Sequence, residues 1–201
     1  MEPSASARAL EALRAAGLDL AGWRDAAPAW MEGVRVAREL RERGLHTVGL
    51  APADDEVAVP AVAMLLGGAL AQVSGGAVGL VDAAGSWPAA PELRASAPSD
   101  GSLLATSWLR DGLAVLGPRC FDHGTALAPL RAAVALVPAA FEHLVVDLTG
   151  FDHLGELPAA TGLLDGVLLV ARSGRTRGRQ VRRWLGDAAG GRGLGVLLTG
   201  I

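Results

Sequence analysis

Short apolar runs without polar alternation recur along the chain after residue 44. Each run is bounded by glycine, proline or charged residues. Such runs are typical of strands that are buried on both faces of a sheet. They predict six strands, at residues 46–51, 77–81, 113–116, 144–148, 166–171 and 195–199.

Segments with helical periodicity precede and separate these strands. Ser4 or Ser6 can cap a first short helix, which Gly17 ends. Pro28 lies in the first turn of a second helix, and Gly44 follows its last turn. The predicted helices cover residues 4–16, 28–43, 57–73, 124–138, 154–163 and 175–188. The segments 83–101 and 117–124 are rich in proline and glycine and are predicted to be loops.

The alternation of strands and helices predicts an α/β fold. Strand–helix–strand units connect parallel strands by right-handed crossovers and place helices on the faces of the sheet. We therefore expect a doubly wound, mostly parallel sheet of six or seven strands with helices on both faces. Residues 1–27 form a predicted N-terminal helical extension, and residues 28–201 form one α/β domain.

Composition narrows the chemistry that the chain can perform. The 201 residues include 18 basic residues, all of them arginine, and no tyrosine. Catalysis through a lysine or a phosphotyrosine is therefore excluded. The single cysteine, Cys120, excludes an internal disulfide. The net charge of −3 gives no indication of a nucleic acid or an anionic membrane surface as partner.

The cellular location is predicted from two sequence patterns that the chain lacks, that of a signal peptide and that of a membrane span. The N-terminus has no basic region followed by an apolar run, as a signal peptide would have. Glycine, proline and charged residues interrupt every apolar stretch before it reaches the roughly 18–20 residues of a membrane span. We expect a cytoplasmic protein without direct membrane insertion.

Two predicted strands have an aspartate at or next to their carboxyl end, the edge where open parallel sheets bind ligands. Residues 78–88 read VGLVDAAGSWP, with Asp82 at the strand end, and residues 144–150 read LVVDLTG, with Asp147. Residues 164–183 read LDGVLLVARSGRTRGRQVRR, and the last strand reaches Thr199. In order and spacing these segments resemble the bacterial tyrosine autokinases of capsule and exopolysaccharide synthesis, which belong to the ParA/MinD-like P-loop ATPases.

The resemblance implies a nucleotide site at these strand ends, but the sequence departs from the family there. Ala84 stands where the family has the second aspartate of D-A-D, and Thr199 replaces an asparagine near the adenine base. Trp87, in the loop after Asp82, is a candidate to cover the nucleotide position. Asp82 and Asp147 are retained, although aspartates at strand ends also fix loops as hydrogen-bond acceptors.

The connection after the first strand lacks the residues that hold phosphates. A functional loop, G-x-x-x-x-G-K-[ST], supplies backbone N–H groups, a lysine and a hydroxyl group. Residues 51–66 read APADDEVAVPAVAMLL, and the lysine position falls at Val59, beside Pro60. Two like charges about 4 Å apart repel by roughly 4 kcal/mol, so Asp54, Asp55 and Glu56 would oppose a bound triphosphate. The sequence predicts no nucleotide, metal or other cofactor.

A charged motif precedes the first strand. Glu32, Arg35 and Arg38 are spaced by three residues and share one side of the second helix. Their order matches E-x-x-R-x-x-R, the motif through which the resembled kinases form rings. The resemblance therefore implies self-association through these residues, whereas spacing alone is equally typical of a solvated helix face.

Two further groups of polar residues offer other chemistry. The tripeptide Phe-Asp-His occurs at residues 121–123 and 151–153, so an enzyme site could combine Asp82, Asp147, His123 and His153. Their spacing fits no metal signature, and two polar loops are the favoured interpretation. A basic cluster near the C-terminus is a candidate partner surface, favoured over a nucleic-acid groove; it contains Arg175, Arg177, Arg179, Arg182, Arg183 and Trp184.

The function expected from the resemblance and its departures is that of a catalytically inactive pseudo-ATPase or pseudokinase. It would act as a scaffold or regulatory subunit in a cell-envelope system of polysaccharide synthesis or export. A membrane chain-length regulator or an active paralogue is the expected partner. An adaptor for polarity or pilus positioning, of the ParA/MinD type, and an enzyme with an unrecognised site are the alternatives.

Overall fold

The protein contains a seven-stranded, mostly parallel sheet. The computed structural model describes residues 4–18, 22, 27–95, 102–109, 112–119, 126–184, 186 and 191–200. The strand order is β3-β4-β2-β5-β1-β6-β7, and the β3–β4 pair is antiparallel. The strands are β1 Thr47–Pro52, β2 Val78–Asp82, β3 Leu104–Trp108, β4 Leu113–Pro118, β5 His143–Asp147, β6 Gly166–Arg172 and β7 Gly193–Thr199. The predicted doubly wound α/β class is confirmed.

Helices cover the sheet on both faces. Those within the described segments are α1 Ala5–Ala15, α2 Ala27–Glu42, α3 Val59–Ser74, α4 Ala90–Ala95, α5 Leu127–Val134, α6 Leu157–Thr161 and α7 Gly178–Arg183. Helices α1, α2 and α3 share one buried cluster with residues of the central strands, while α5 and α6 belong to a second cluster. The sheet thus separates two cores.

Some predicted boundaries are wrong. Segment 83–101, assigned to a loop, contains α4, and residues 117 and 118, assigned to the next loop, end β4. The helix predicted at 124–138 ends at Val134. Pro138 follows four residues later; its missing N–H and its ring do not fit a helix interior. Strand β3 was not predicted, because its exposed Thr106 and Trp108 break the continuous apolar pattern.

The N-terminal helix packs into the domain. Ala9 and Leu13 are buried in the same cluster as residues of β1 and β2. The guanidinium Nε of Arg8 donates to Oε2 of Glu92 on α4 at 3.1 Å. The division of the chain at residue 27 stays a prediction. No helix in the described part of the chain is long and apolar enough to cross a bilayer.

The close fit of the second core is visible at Gly49 in the middle of β1. A Cβ atom there would lie 2.7 Å from Cδ1 of Leu164 and 2.8 Å from Cδ1 of Leu148. Both leucines are buried. A residue larger than glycine at this position would overlap the two leucine side chains.

The central strands place the candidate site. β1 lies between β5 and β6. Strands β2, β3 and β4 lie on the β5 side of β1, whereas β6 and β7 lie on its other side. This reversal of strand order is a topological switch point, and a crevice forms there beyond the carboxyl ends of the strands.

Candidate functional site

Asp82 and Asp147 lie side by side at the carboxyl edge of the sheet. They end β2 and β5 and are paired in the parallel register of these two strands. Both carboxylates are buried. The sequence predicted their position, and the structure brings them together as two neighbouring acidic groups.

The loop after β2 folds back over Asp82. Gly85 has a φ of 64°, in the left-handed region that favours glycine. Its turn directs two backbone N–H groups toward the carboxylate. Ser86 N donates to Oδ1 of Asp82 at 2.9 Å, and Trp87 N donates to Oδ2 at 2.8 Å. Asp82 therefore serves as the acceptor that holds this loop.

The side chain of Trp87 reaches the second aspartate. Its indole Nε1 donates to Oδ2 of Asp147 at 2.8 Å, and the side chain is buried. Thr149 N donates to the other oxygen, Oδ1, at 2.8 Å. Trp87 thus contacts both carboxylates, one through its backbone and one through its side chain.

Burial raises the pKa of both aspartates. Burial, together with the negative charge of the neighbouring Asp147, raises the pKa of Asp82 to about 6, against the lowering effect of the hydrogen bonds from Trp87 and Ser86. Burial also raises the pKa of Asp147, although hydrogen bonds from Thr149 and Trp87 oppose it. A buried carboxylate favours its neutral form because ionisation there lacks the solvation of water.

The acidic loop after β1 is held by Arg172, which the sequence did not place near this loop. Arg172, at the end of β6, forms an ion pair with Asp54 at 3.2 Å and another with Glu56. The hydroxyl of Thr176 also donates to Oδ2 of Asp54, at 3.4 Å. Two of the three carboxylates are therefore compensated within the fold, and the predicted repulsion of a triphosphate is overstated for them.

Asp55 is the most exposed of the three acidic side chains in this loop. It is 91% exposed, and its Oδ1 lies 3.7 Å from Nε2 of His153, which is 76% exposed. A surface pair of this kind contributes little to stability.

Helix α3 starts directly after this loop at the position expected for the phosphate-binding lysine. Its first residue is Val59, which is buried, and Pro60 follows. Ala58 precedes the helix and provides no side-chain cap. Because Pro60 has no N–H and Val59 has no polar side-chain atom, this helix start offers few donors to a phosphate. The residues present do not fit the nucleotide and magnesium that the resemblance implies.

A cleft of about 660 Å³ opens at the switch point. Its floor consists of apolar residues from the ends of β1, β5 and β6, among them Pro52, Leu148 and Leu169. Neither Asp82 nor Asp147 lines it. The polar and aromatic rim comprises Asp54, Asp55, Thr149, Asp152, His153, Gln180, Arg183 and Trp184.

The enzyme site suggested by four polar residues is only partly described. His153 lies in the cleft, while Asp82 and Asp147 are buried beneath Trp87. His123 and the first Phe-Asp-His tripeptide lie outside the described residues. No group of three or more His, Cys, Asp or Glu side chains within the described segments could hold a metal ion.

The charged motif of α2 is exposed in the described chain. Glu32 accepts two hydrogen bonds from the guanidinium of Arg35, at 2.6 and 2.9 Å, and these hydrogen bonds lower the pKa of Glu32 and raise that of Arg35. Glu39 lies 3.7 Å from Arg35 on the next turn. Arg38 forms no ion pair with any residue described. The role of the motif in self-association stays a prediction.

The basic residues after β6 are also exposed. They lie in the turn that follows this strand and in α7. Trp184, directly after α7, is half-buried and packs against the second core. Thr199, which the resemblance places near the adenine base, directs its hydroxyl to the carbonyl of Ala171 at 3.3 Å. The sequence did not indicate the contacts of Ser86, Thr149 and Arg172, each of which is engaged with an acidic side chain.

The fold is shared with solved structures, two of which are kinase domains. The VpsO kinase domain matches with a TM-score of 0.61 and 19% identity, over 87% of this chain and 95% of that one. The chimerical protein CapA2B2 matches with a TM-score of 0.56 and 17% identity, over 77% and 75%. The BceF tyrosine kinase domain matches with a TM-score of 0.55 and 15% identity, over 81% and 72%.

These comparisons confirm the resemblance at the level of the fold. No protein-family model and no curated protein matches the chain. At identities below 20%, these matches show a shared α/β fold and do not determine the activity of this chain.

Proposed function

We propose that the protein is a pseudo-ATPase or pseudokinase that acts through protein contacts in a cell-envelope system of polysaccharide synthesis or export. It works on the cytoplasmic side of the membrane as a scaffold or regulatory subunit. Its partner is a membrane chain-length regulator or an active paralogue. The pathway and the partner rest on the motif resemblance and on the fold shared with kinase domains.

The observation that carries this proposal is the contact of Trp87 with both aspartates. A magnesium ion needs carboxylate oxygens that are free to face it and solvent. Here the Oδ2 atoms of Asp82 and Asp147 accept hydrogen bonds from Trp87, and both groups are buried. Exchanging these contacts for a hydrated ion would require the loop to leave the core.

The start of α3 supports the same proposal. Transfer of a phosphoryl group relies almost entirely on positioning and on stabilising negative charge. The chain has no lysine, and the first residues of α3 are Val59 and Pro60. Arg172, a cation at the same edge, is paired with Asp54 and Glu56 and is therefore engaged with the protein's own carboxylates.

The proposal is tested by calorimetric titration with Mg·ATP, Mg·ADP and Mg·GTP, alongside thermal unfolding. No heat and no stabilisation at millimolar nucleotide is the expected result. Tripolyphosphate is the matched control, because exposed arginines can attract any polyanion. Binding of ATP at micromolar concentration, abolished by Arg183→Gln in the cleft and not reproduced by tripolyphosphate, would overturn the proposal.

A further inference from the structure

The modest net charge of the chain conceals a strong separation of charge. The arginine segment, residues 172–184, contains six arginines and no acidic residue. The other twelve arginines of the chain face 21 acidic residues, so the rest of the chain has a net charge of −9. A local basic surface on an acidic protein marks a site that attracts an anionic partner.

Five of these arginines are free to bind a partner. Arg172 is engaged with Asp54 and Glu56, as described above. The remaining five are exposed, and none of them forms an ion pair with a carboxylate in the described segments; they are Arg175, Arg177, Arg179, Arg182 and Arg183. Natural surfaces usually intersperse both signs of charge, so this accumulation calls for a negatively charged partner.

Apolar side chains accompany the arginines at this edge. Leu198 on β7 is 69% exposed. The next residue, Thr199, pairs with Arg172 and accepts a hydrogen bond from Ser173 N at 3.0 Å, so β7 ends beside the start of the segment. Trp184 at its other end is half-buried.

We infer that the arginine segment and Leu198 form a peripheral docking surface for an anionic phospholipid bilayer. Arginines beside an exposed leucine are a combination that places a protein at the boundary between headgroups and acyl chains. A nucleic acid would need aromatic side chains free for stacking or a groove, whereas Trp184 packs against the second core.

The acidic residues of the cleft restrict how the protein can approach the bilayer. Asp55 and Asp152 line the same cleft as Arg183. Contact must therefore avoid the acidic rim, so Arg183 and Trp184, which line the cleft with it, contribute least to the docking surface. This surface acts without insertion of a helix, and it does not depend on whether the cleft binds nucleotide.

Flotation of the whole chain with lipid vesicles tests the inference. We expect binding to phosphatidylcholine vesicles that contain about 30% phosphatidylglycerol, no binding to pure phosphatidylcholine, and at least a tenfold loss between about 50 and 300 mM NaCl. Each basic residue at an anionic surface contributes roughly a fivefold gain. The double variant Arg179→Gln/Arg182→Gln should therefore bind roughly 25-fold more weakly.

Matched variants separate this surface from a general effect of charge. Arg41→Gln/Arg131→Gln removes the same charge elsewhere and should change binding less than twofold, whereas Leu198→Ser should weaken it roughly threefold to tenfold. Thermal unfolding verifies that each variant folds. Absence of binding to anionic vesicles at low salt, or equal losses in the two double variants, would overturn the inference. Binding of polyglutamate or duplex DNA without vesicle binding would assign the segment to another macromolecule and would overturn it as well.

Discussion

The indole Nε1 of Trp87 lies 2.8 Å from Oδ2 of Asp147, and both groups are buried. Loss of the indole donor would leave a buried acceptor oxygen of Asp147 without this partner. This contact fixes the loop after β2 to the end of β5 and closes the edge of the sheet over two acidic residues.

Trp87→Phe should lower the free energy of unfolding by about 2 kcal/mol, because phenylalanine retains most of the ring packing but cannot donate to Asp147. Urea denaturation measures the change. Trp108→Phe is the matched control, since Trp108 is 50% exposed and stacks on Phe141 at 5.6 Å. Equal losses in the two variants would show that the Trp87 hydrogen bond has no special contribution.

Asp82 should make the protein less stable as the pH rises. Its pKa is raised from 3.8 to about 6 in the folded state, so the ionised form is disfavoured by folding. The penalty is absent below pH 3.8, appears as the pH rises, and is complete above pH 6. By linkage it amounts to about 3 kcal/mol.

Asp82→Asn removes this titration. The difference in unfolding free energy between the variant and the wild type should shift in favour of the variant from pH 4 to pH 7, by up to about 3 kcal/mol. Asparagine replaces one acceptor oxygen by an amide group, so the hydrogen bond from Ser86 or Trp87 is lost and the two proteins already differ in unfolding free energy at low pH. The test is therefore the change of this difference with pH. Asp55→Asn, at an exposed carboxylate, is the control. A difference that is constant with pH would contradict the burial of an ionised Asp82.

Arg172 should stabilise the loop after β1. Arg172→Met leaves Asp54 and Glu56 close together without their cation, and we expect a loss of about 1–3 kcal/mol. In a double-mutant cycle, Asp54→Asn should restore part of this loss by removing one of the carboxylates. Arg175→Met, at an exposed position that makes no described ion pair, is the control and should change stability by less than about 0.5 kcal/mol.

The motif on α2 predicts self-association. Arg38→Glu should reduce the apparent mass in analytical ultracentrifugation if Arg38 contacts another copy, while Arg35→Glu should do so with an added loss of stability, because Arg35 is paired with Glu32. Arg131→Glu on α5 is the matched control for charge reversal. A monomeric wild type would eliminate self-association through this helix.

The sequence predicted the fold well because buried parallel strands have a simple pattern. Each of the six predicted strands overlaps an observed strand, and the one that was missed, β3, is antiparallel and partly exposed. The ends of β2 and β5 follow from the same pattern, so the positions of Asp82 and Asp147 were predictable.

The partners of these residues were less predictable. Arg172 and Glu56 are separated by 116 residues in the chain, and no periodic pattern relates them. The sequence alone therefore indicated three acidic side chains without a nearby cation in the loop after β1. The hydrogen bonds of Trp87 depend on the left-handed turn at Gly85. Trp87 contacts Asp82 on β2 and Asp147 on β5 only in the folded loop, so the sequence around Trp87 does not show these contacts. The net charge of the whole chain also hid the arginine segment, because it sums this basic segment with a more acidic remainder.

The covered aspartates have a consequence for any ligand that would approach them. A ligand can reach the carboxylates of Asp82 and Asp147 when the loop with Trp87 has opened, so its apparent dissociation constant is the intrinsic one divided by the open fraction. If opening costs about 3 kcal/mol, this fraction is roughly one in 150, and even an intrinsically micromolar ligand would bind at about 0.15 mM. A partner protein that pulled this loop aside would remove the penalty, and the availability of the two aspartates would then depend on the partner's presence.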